Sequence, residues 1–282
     1  MISAVAVIAG LFGLLIGSFL NVVIYRVPAG KSIVSPPSTC GSCGASIRPH
    51  DNIPVLSWLL LRAKCRDCGA AISARYPLVE LGTGVFFAVV ALWVLSGPGQ
   101  IAGDEAARAL PAAILAQFIV LVAFFYLAAV SVALAMIDLD THTLPNRILL
   151  PAYPVGAVLL TAAAITAGEP GRLLTALIGA AALFGLYLAL ALISPGGMGL
   201  GDVKLAGVLG LYLGWLGWAP LIVGAFGAFL LGGLFGIGLL VTRKAGRRSS
   251  IPFGPWMLLG AWLGAVFGER IAAGYLTLFG IT

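Results

Sequence analysis

AAILAQFIVLVAFFYLAAVSVALAMI, residues 112–137, carries no charged side chain and ends directly at Asp138. A helix rises 1.5 Å per residue, so this run is long enough to cross a hydrocarbon core of about 30 Å. Comparable stretches lie at roughly 2–24, 78–96, 148–167, 173–194, 203–218, 220–241 and 252–272, the sixth of the eight being short and rich in glycine. Of the 282 residues, 61% are hydrophobic and 9% charged, against about 25% charged in an ordinary soluble domain. A chain this poor in charge cannot clothe a water-facing surface. The fold class is therefore an all-α polytopic membrane protein of about eight transmembrane helices, interrupted by one polar insert between the first two.

The insert fixes the expected topology. Of the 16 Lys and Arg, seven lie in it: Arg26, Lys31, Arg48, Arg62, Lys64, Arg66 and Arg75. Alternating spans bring Arg147, Lys204 and the cluster Arg243, Lys244, Arg247, Arg248 to the same side, leaving only Arg108, Arg172 and Arg270 on the other. By the positive-inside rule the insert is cytoplasmic and the N-terminus is outside. The net charge of +6 thus reads as a membrane-surface bias and not as a nucleic-acid interface. The first span lacks a basic flank before it and outruns a signal-peptide core, so it is expected to stay. The organisation is a first span at 1–24, an insert at 25–76 and a helical bundle at 77–282, with an external loop at 97–111. Glycines at 207, 210, 214, 217, 224, 227, 232 and 236 suit close helix packing, since lipid provides no hydrophobic drive between helices.

All four cysteines fall in the insert, as Cys40-Gly-Ser-Cys43-Gly44 and Cys65-Arg-Asp-Cys68-Gly69. Two C-x-x-C pairs with 21 residues between Cys43 and Cys65 match a four-thiolate zinc site. Four thiolates leave no open position, so the metal is structural, and its binding supplies folding energy that a segment this short and polar lacks. Two disulfides are the alternative; a cytoplasmic location argues against them. His50 lies between the pairs and reads as a surface histidine.

Ionisable groups beside apolar spans are functional candidates by default. The carboxylates so placed are Glu80, Asp138, Asp140, Asp202 and Glu269. Asp138 closes the third span, and Asp140, two residues on, points nearly the opposite way on a helix. Asp202 lies in the break Gly199-Leu-Gly-Asp202, where it could equally cap the following helix. Two carboxylates converging on one water form an aspartic peptidase site, one taking a proton from the water while the protonated partner hydrogen-bonds the scissile carbonyl.

Six ordered motifs give these features a common setting: Gly17-Ser-Phe-Leu-Asn21-Val-Val-Ile-Tyr25-Arg26, the two cysteine pairs, Arg75-Tyr-Pro-Leu-Val-Glu80-Leu81, Asp138 with Leu144-Pro145, Gly199-Leu-Gly-Asp202-Val-Lys204, and Ile251-Pro-Phe-Gly-Pro255. Together they resemble the bacterial type IV prepilin peptidases over nearly the whole chain. The resemblance implies a multi-pass protein of the bacterial cytoplasmic (inner) membrane that removes the basic leader from pilin-like or pseudopilin precursors at the cytoplasmic face. It assigns the catalytic aspartates to Asp138 and Asp202, and it implies N-methylation of the new terminus with S-adenosylmethionine. Where relatives often carry Asp after Leu-Pro, this chain has Asn146, whose amide cannot act as an acid or base. No Rossmann-type glycine motif is present, so a cofactor site would be built differently, between the insert and the first two spans. Asn21, Arg26, Arg75 and Glu80 are the candidates, with Arg26 and Arg75 also readable as inside anchors and Glu80 as a charge favoured near a helix N-terminus. Lys204 either pairs with Asp202 or substrate or reaches to the interface as an anchor. His142 is expected at the surface, and Ser249–Pro255 is expected to start the last span. Two other readings remain at this level: a peptidase alone, using the zinc insert for substrate recognition, and a proton-coupled transporter, against which the lack of an internal repeat counts.

Overall fold

The computed structural model describes residues 2–96, 110–193, 198–242 and 252–280. Arg108 and most of the expected external loop, the basic cluster Arg243–Arg248 and Ser249–Ile251 lie outside the described residues. Among those described, the chain is helical: α1 (Ile2–Arg26), α2 (Leu56–Leu60), α3 (Arg75–Ser96), α4 (Leu110–Thr141), α5 (Asn146–Thr166), α6 (Gly171–Ile193), α7 (Leu200–Leu216), α8 (Trp218–Val241) and α9 (Gly254–Leu278). Each of the eight expected apolar stretches forms a long helix. Six of these, α1, α3, α4, α5, α6 and α8, are long and apolar enough to cross a membrane, which makes this a multi-pass membrane protein. The other two are α7, with only 17 residues, and α9, which carries Glu269 and Arg270.

The chain divides into two compact units, Met1–Leu92 and Trp93–Thr282. In the first, α1 and α3 run antiparallel in backbone contact. A Cβ at Gly13 would lie 2.9 Å from Gly84 Cα, and one at Gly17 would lie 2.7 Å from Glu80 Cα. These are the small-residue approaches that membrane helix pairs need. Between the two helices the insert folds into two hairpins related by a shift of 25 residues. Cys40 N–H donates to Ala45 and Cys65 N–H to Ala70, both at 2.8 Å; Gly44 N–H returns to Cys40 at 2.9 Å and Gly69 N–H to Cys65 at 3.0 Å. Isolated bridges Thr39–Ser46 and Lys64–Ala71 close the two turns. Gly44 and Gly69 take φ of +73° and +72°, a region in which only glycine is free of a Cβ penalty.

In the second unit α6 packs antiparallel on α7, and α8 on α9. The contacts are again main chain on main chain. A Cβ at Gly210 would run into the Gly179 carbonyl oxygen, and one at Gly264 into that of Pro220. α7 is buried on every side, with Val203 and all of Leu205–Trp215 enclosed, as expected of a helix apolar all round. Trp93, Phe124 and Trp262 pack edge to face, and Trp262 Nε1 donates to Ser131 Oγ at 3.1 Å.

Candidate functional site

Asp138 belongs to the last turn of α4 and is only 5% exposed, whereas Asp140 faces outward. The helical period separates them as expected. Thr141 ends α4, and His142 follows with φ +52°, its side chain exposed and its N–H on the Asp138 carbonyl at 2.9 Å. Asp138 Oδ2 accepts the N–H of Gly254, the first residue of α9, at 3.0 Å. The first amides of a helix have no partner within it and favour negative charge. The chain can approach this closely because residue 254 lacks a side chain: a Cβ there would fall 2.7 Å from Asp138 Oδ2.

Asp202 occupies the third position of α7 and not its cap. Gly199 is the cap residue, and its N–H donates to Asp202 Oδ2 at 3.2 Å. The carboxylate reaches back over the helix start as an acidic residue at this position commonly does. Leu144, from the link after α4, joins the two halves of the site. A Cβ on Gly201 would meet Leu144 Cβ at 3.0 Å, and one on Gly254 would meet Leu144 Cδ2 at 3.4 Å. The starts of α7 and α9 therefore converge on one leucine, and Asp138 and Asp202 lie within electrostatic reach of each other. Tyr187, also in reach of Asp202, stacks with Phe229 and Phe253 at centroid distances of 5.3 and 6.3 Å, giving this region an aromatic wall.

Lys204 does not pair with Asp202. Its Nζ donates to Asn146 Oδ1 at 3.0 Å, and its carbonyl accepts Tyr153 Oη at 2.6 Å. This joins α7 to the start of α5. Pro255 lies in the first turn of α9, so the Pro-Phe-Gly-Pro stretch starts that helix as expected. What sequence reasoning did not find is the Gly254 amide and the wedge of Leu144. Both residues stood within quoted motifs, but only tertiary contact reveals what they touch.

The four cysteine sulfurs lie within 4.8 Å of one another, all four as free thiols. With Zn–S bonds of about 2.3 Å, neighbouring sulfurs in a tetrahedral site stand about 3.8 Å apart, and Cys40 and Cys68 are 3.9 Å apart. Backbone N–H groups of Cys43 and Ser42 pull the Cys40 thiol down to about 6. At Cys68 the Ala70 N–H acts in the same sense, but hydrogen bonds among the crowded thiols outweigh it and hold that group up at about 12. Sulfurs that share protons in this way fit a divalent cation that would replace those protons. His50 lies outside the cluster, exposed at 61% of its side chain and 3.7 Å from Asp51.

Asn21, Arg26, Arg75 and Glu80 gather at one end of the α1–α3 pair. Asn21 Nδ2 donates to the Tyr76 carbonyl at 3.1 Å and Arg26 Nη1 to that of Ser32 at 3.0 Å. Glu80, 8% exposed, accepts the Val55 N–H at 2.7 Å. These bonds fit a joint between the insert and its two flanking helices.

Two family models match the chain: the bacterial peptidase A24 N-terminal domain over residues 11–94 and the type IV leader peptidase family over residues 125–237. Curated relatives named prepilin leader peptidase/N-methyltransferase align end to end. One from Aeromonas salmonicida is 35% identical over 95% of this chain and 92% of its own. Others from Pseudomonas aeruginosa and Bacillus subtilis are 33% and 31% identical, over 96% and 95% of this chain and 93% and 96% of theirs. No solved structure matches. With near-complete alignment at this identity, and with both halves matched in order, the chain belongs to the type IV leader peptidase family.

Proposed function

We propose that this chain cleaves the leader peptide of type IV prepilin-like precursors, with Asp138 and Asp202 activating the attacking water. The observation that carries this reading is the convergence of two carboxylates, each held by a glycine amide at a helix start, around Leu144. The ionised carboxylate takes one proton from water as its oxygen adds to the scissile carbonyl. The protonated partner donates a hydrogen bond to the carbonyl oxygen and then its proton to the departing amine. Glycines 199, 201 and 254 let the starts of α7 and α9 close on the two carboxylates and on Leu144 with no side chain between. Lys204, tied to Asn146, serves to place α7.

The asymmetry of Lys and Arg supports an orientation with the N-terminus outside and the insert and active site at the cytoplasmic face of the inner membrane. We assign 1–24 to the first span, 25–76 to a zinc-stabilised insert held by Cys40, Cys43, Cys65 and Cys68, and 77–282 to the bundle with the peptidase site. The names of the relatives support N-methylation of the new terminus, for which we take S-adenosylmethionine as the methyl donor. The junction of Asn21, Arg26, Arg75 and Glu80 is the place to test for that activity. A peptidase without methyl transfer is the second reading; incubation with a pilin precursor and methyl-labelled donor separates the two, because cleavage without label in the product removes the methyltransferase. For the dyad, Asp138→Asn and Asp202→Asn are each expected to abolish cleavage in folded protein, while Asp140→Asn retains most of it. Normal cleavage by either of the first two variants would refute the assignment.

A further inference from the structure

The insert contains a helix that is inside out. α2 buries Ser57, whose hydroxyl donates to the His50 carbonyl and accepts the Ile53 N–H, both at 2.9 Å. It exposes Leu56, Leu59 and Leu60, the last at 73%, with Ile53 exposed just before them. Positions 56, 59 and 60 share one helical face. An aqueous domain gains nothing by presenting these side chains to water, and a contiguous apolar patch of this kind marks contact with another apolar phase.

The fold also fixes the depth of this helix. Val55, immediately before α2, gives its N–H to Glu80, five residues into the membrane-spanning α3, or about 7.5 Å along its axis. The bond holds a classic γ-turn, with Val55 at φ 61°, ψ −49° and Leu56 N–H on the Pro54 carbonyl at 2.5 Å. That turn is rare and strained for a β-branched residue. α2 is thereby pinned at the level of the first turns of a lipid-crossing helix, where Leu78 and Leu81 are also exposed. From Asn52 to Lys64 the chain has no acidic residue, and the segment ends in exposed Arg62 and Lys64. Exposed apolar side chains with flanking cations are the composition of a helix lying in the membrane interface.

We propose that α2 is an interfacial helix: Ile53, Leu56, Leu59 and Leu60 enter the acyl boundary, and Arg62 and Lys64 engage anionic head-group phosphates. The insert is then held to the bilayer at a third point besides α1 and α3, which fixes its distance from the membrane surface. The test uses the full chain in vesicles of phosphatidylethanolamine and phosphatidylglycerol, with photoreactive benzoylphenylalanine in place of Leu60. Val85, exposed within α3, is the lipid-facing reference, and Ser46, exposed on the first cysteine hairpin, the aqueous one. For an interfacial helix, lipid adducts at position 60 are expected within about threefold of those at 85 and at least about tenfold above those at 46. Leu59→benzoylphenylalanine repeats the measurement independently should the first variant misfold. Lipid adducts no more abundant than at 46, or cross-links to protein in place of lipid, would overturn the proposal. In Arg62→Gln/Lys64→Gln the phosphatidylglycerol share of the adducts is expected to fall to its share in the vesicle; an unchanged excess would refute the charge contribution.

Discussion

Gly254→Ala is the sharpest probe of the proposed active site. Residue 254 is not among the glycines in the left-handed region, so alanine is compatible with its backbone and any effect comes from the added methyl group. That Cβ would lie 2.7 Å from Asp138 Oδ2 and 3.4 Å from Leu144 Cδ2. A carbon–oxygen contact needs roughly half an ångström more, at the van der Waals separations of packed interiors. The helix start is stiffened by Pro255, and Asp138 is enclosed, so the carboxylate must rotate away and lose the Gly254 amide. A hydrogen bond from N–H to a charged acceptor contributes about 1.5–3 kcal/mol. If that loss falls on the transition state, kcat/KM drops about 13- to 160-fold at 1.36 kcal/mol per decade. Overpacking is expected to lower stability by about 1–3 kcal/mol as well, so cleavage of a pilin precursor is compared in micelles alongside thermal unfolding. Gly185→Ala, whose Cβ meets nothing within 4 Å, serves as the neutral control. Wild-type kcat/KM in folded Gly254→Ala would show that the Asp138–Gly254 contact does not matter for catalysis.

The remaining predictions concern stability. Cys40→Ser is expected to lose stoichiometric zinc, read by metal analysis of the purified protein, and to expose the insert to proteolysis while the bundle resists. Gly210→Ala forces α7 from α6 at the Gly179 carbonyl; because backbone cannot yield as a side chain can, it is expected to cost about 3 kcal/mol or more and to lower the unfolding temperature more than Gly185→Ala does. Gly44→Ala places a Cβ at φ +73° and is expected to weaken zinc retention under chelator challenge, at a conformational cost of about 1–2 kcal/mol.

The spans were legible because lipid imposes one demand on every residue of a crossing helix, and a run such as 112–137 satisfies it unmistakably. The divergence of Asp138 and Asp140 was legible for a similar reason: helical period sets them on nearly opposite faces, and Asp138 is the one buried. The cysteine hairpins announced themselves through spacing and the glycine after each pair. Other features depend on what the chain meets after folding. Nothing local to Val55 signals a γ-turn, since no glycine marks it and the stabilising carboxylate lies 25 residues away. Lys204 follows Asp202 closely enough to suggest a pair, yet the helix carries its side chain to Asn146. Glu80 drew attention as a charge near a span and turned out to hold a backbone amide of the insert.

The enclosure of α7 bears on how the site responds to its solvent. Helices with lipid-facing surfaces must tilt or shift as bilayer thickness varies. From Val203 to Trp215 α7 offers almost no such surface, so its height is set by the neighbouring helices through main-chain contacts that cannot slip. The 17-residue length, at the lower limit for a crossing helix, matters little where protein encloses the helix from Val203 to Trp215 almost completely. Asp202 is thus mounted on a part of the protein insulated from membrane composition, and its register is an internal dimension of the fold.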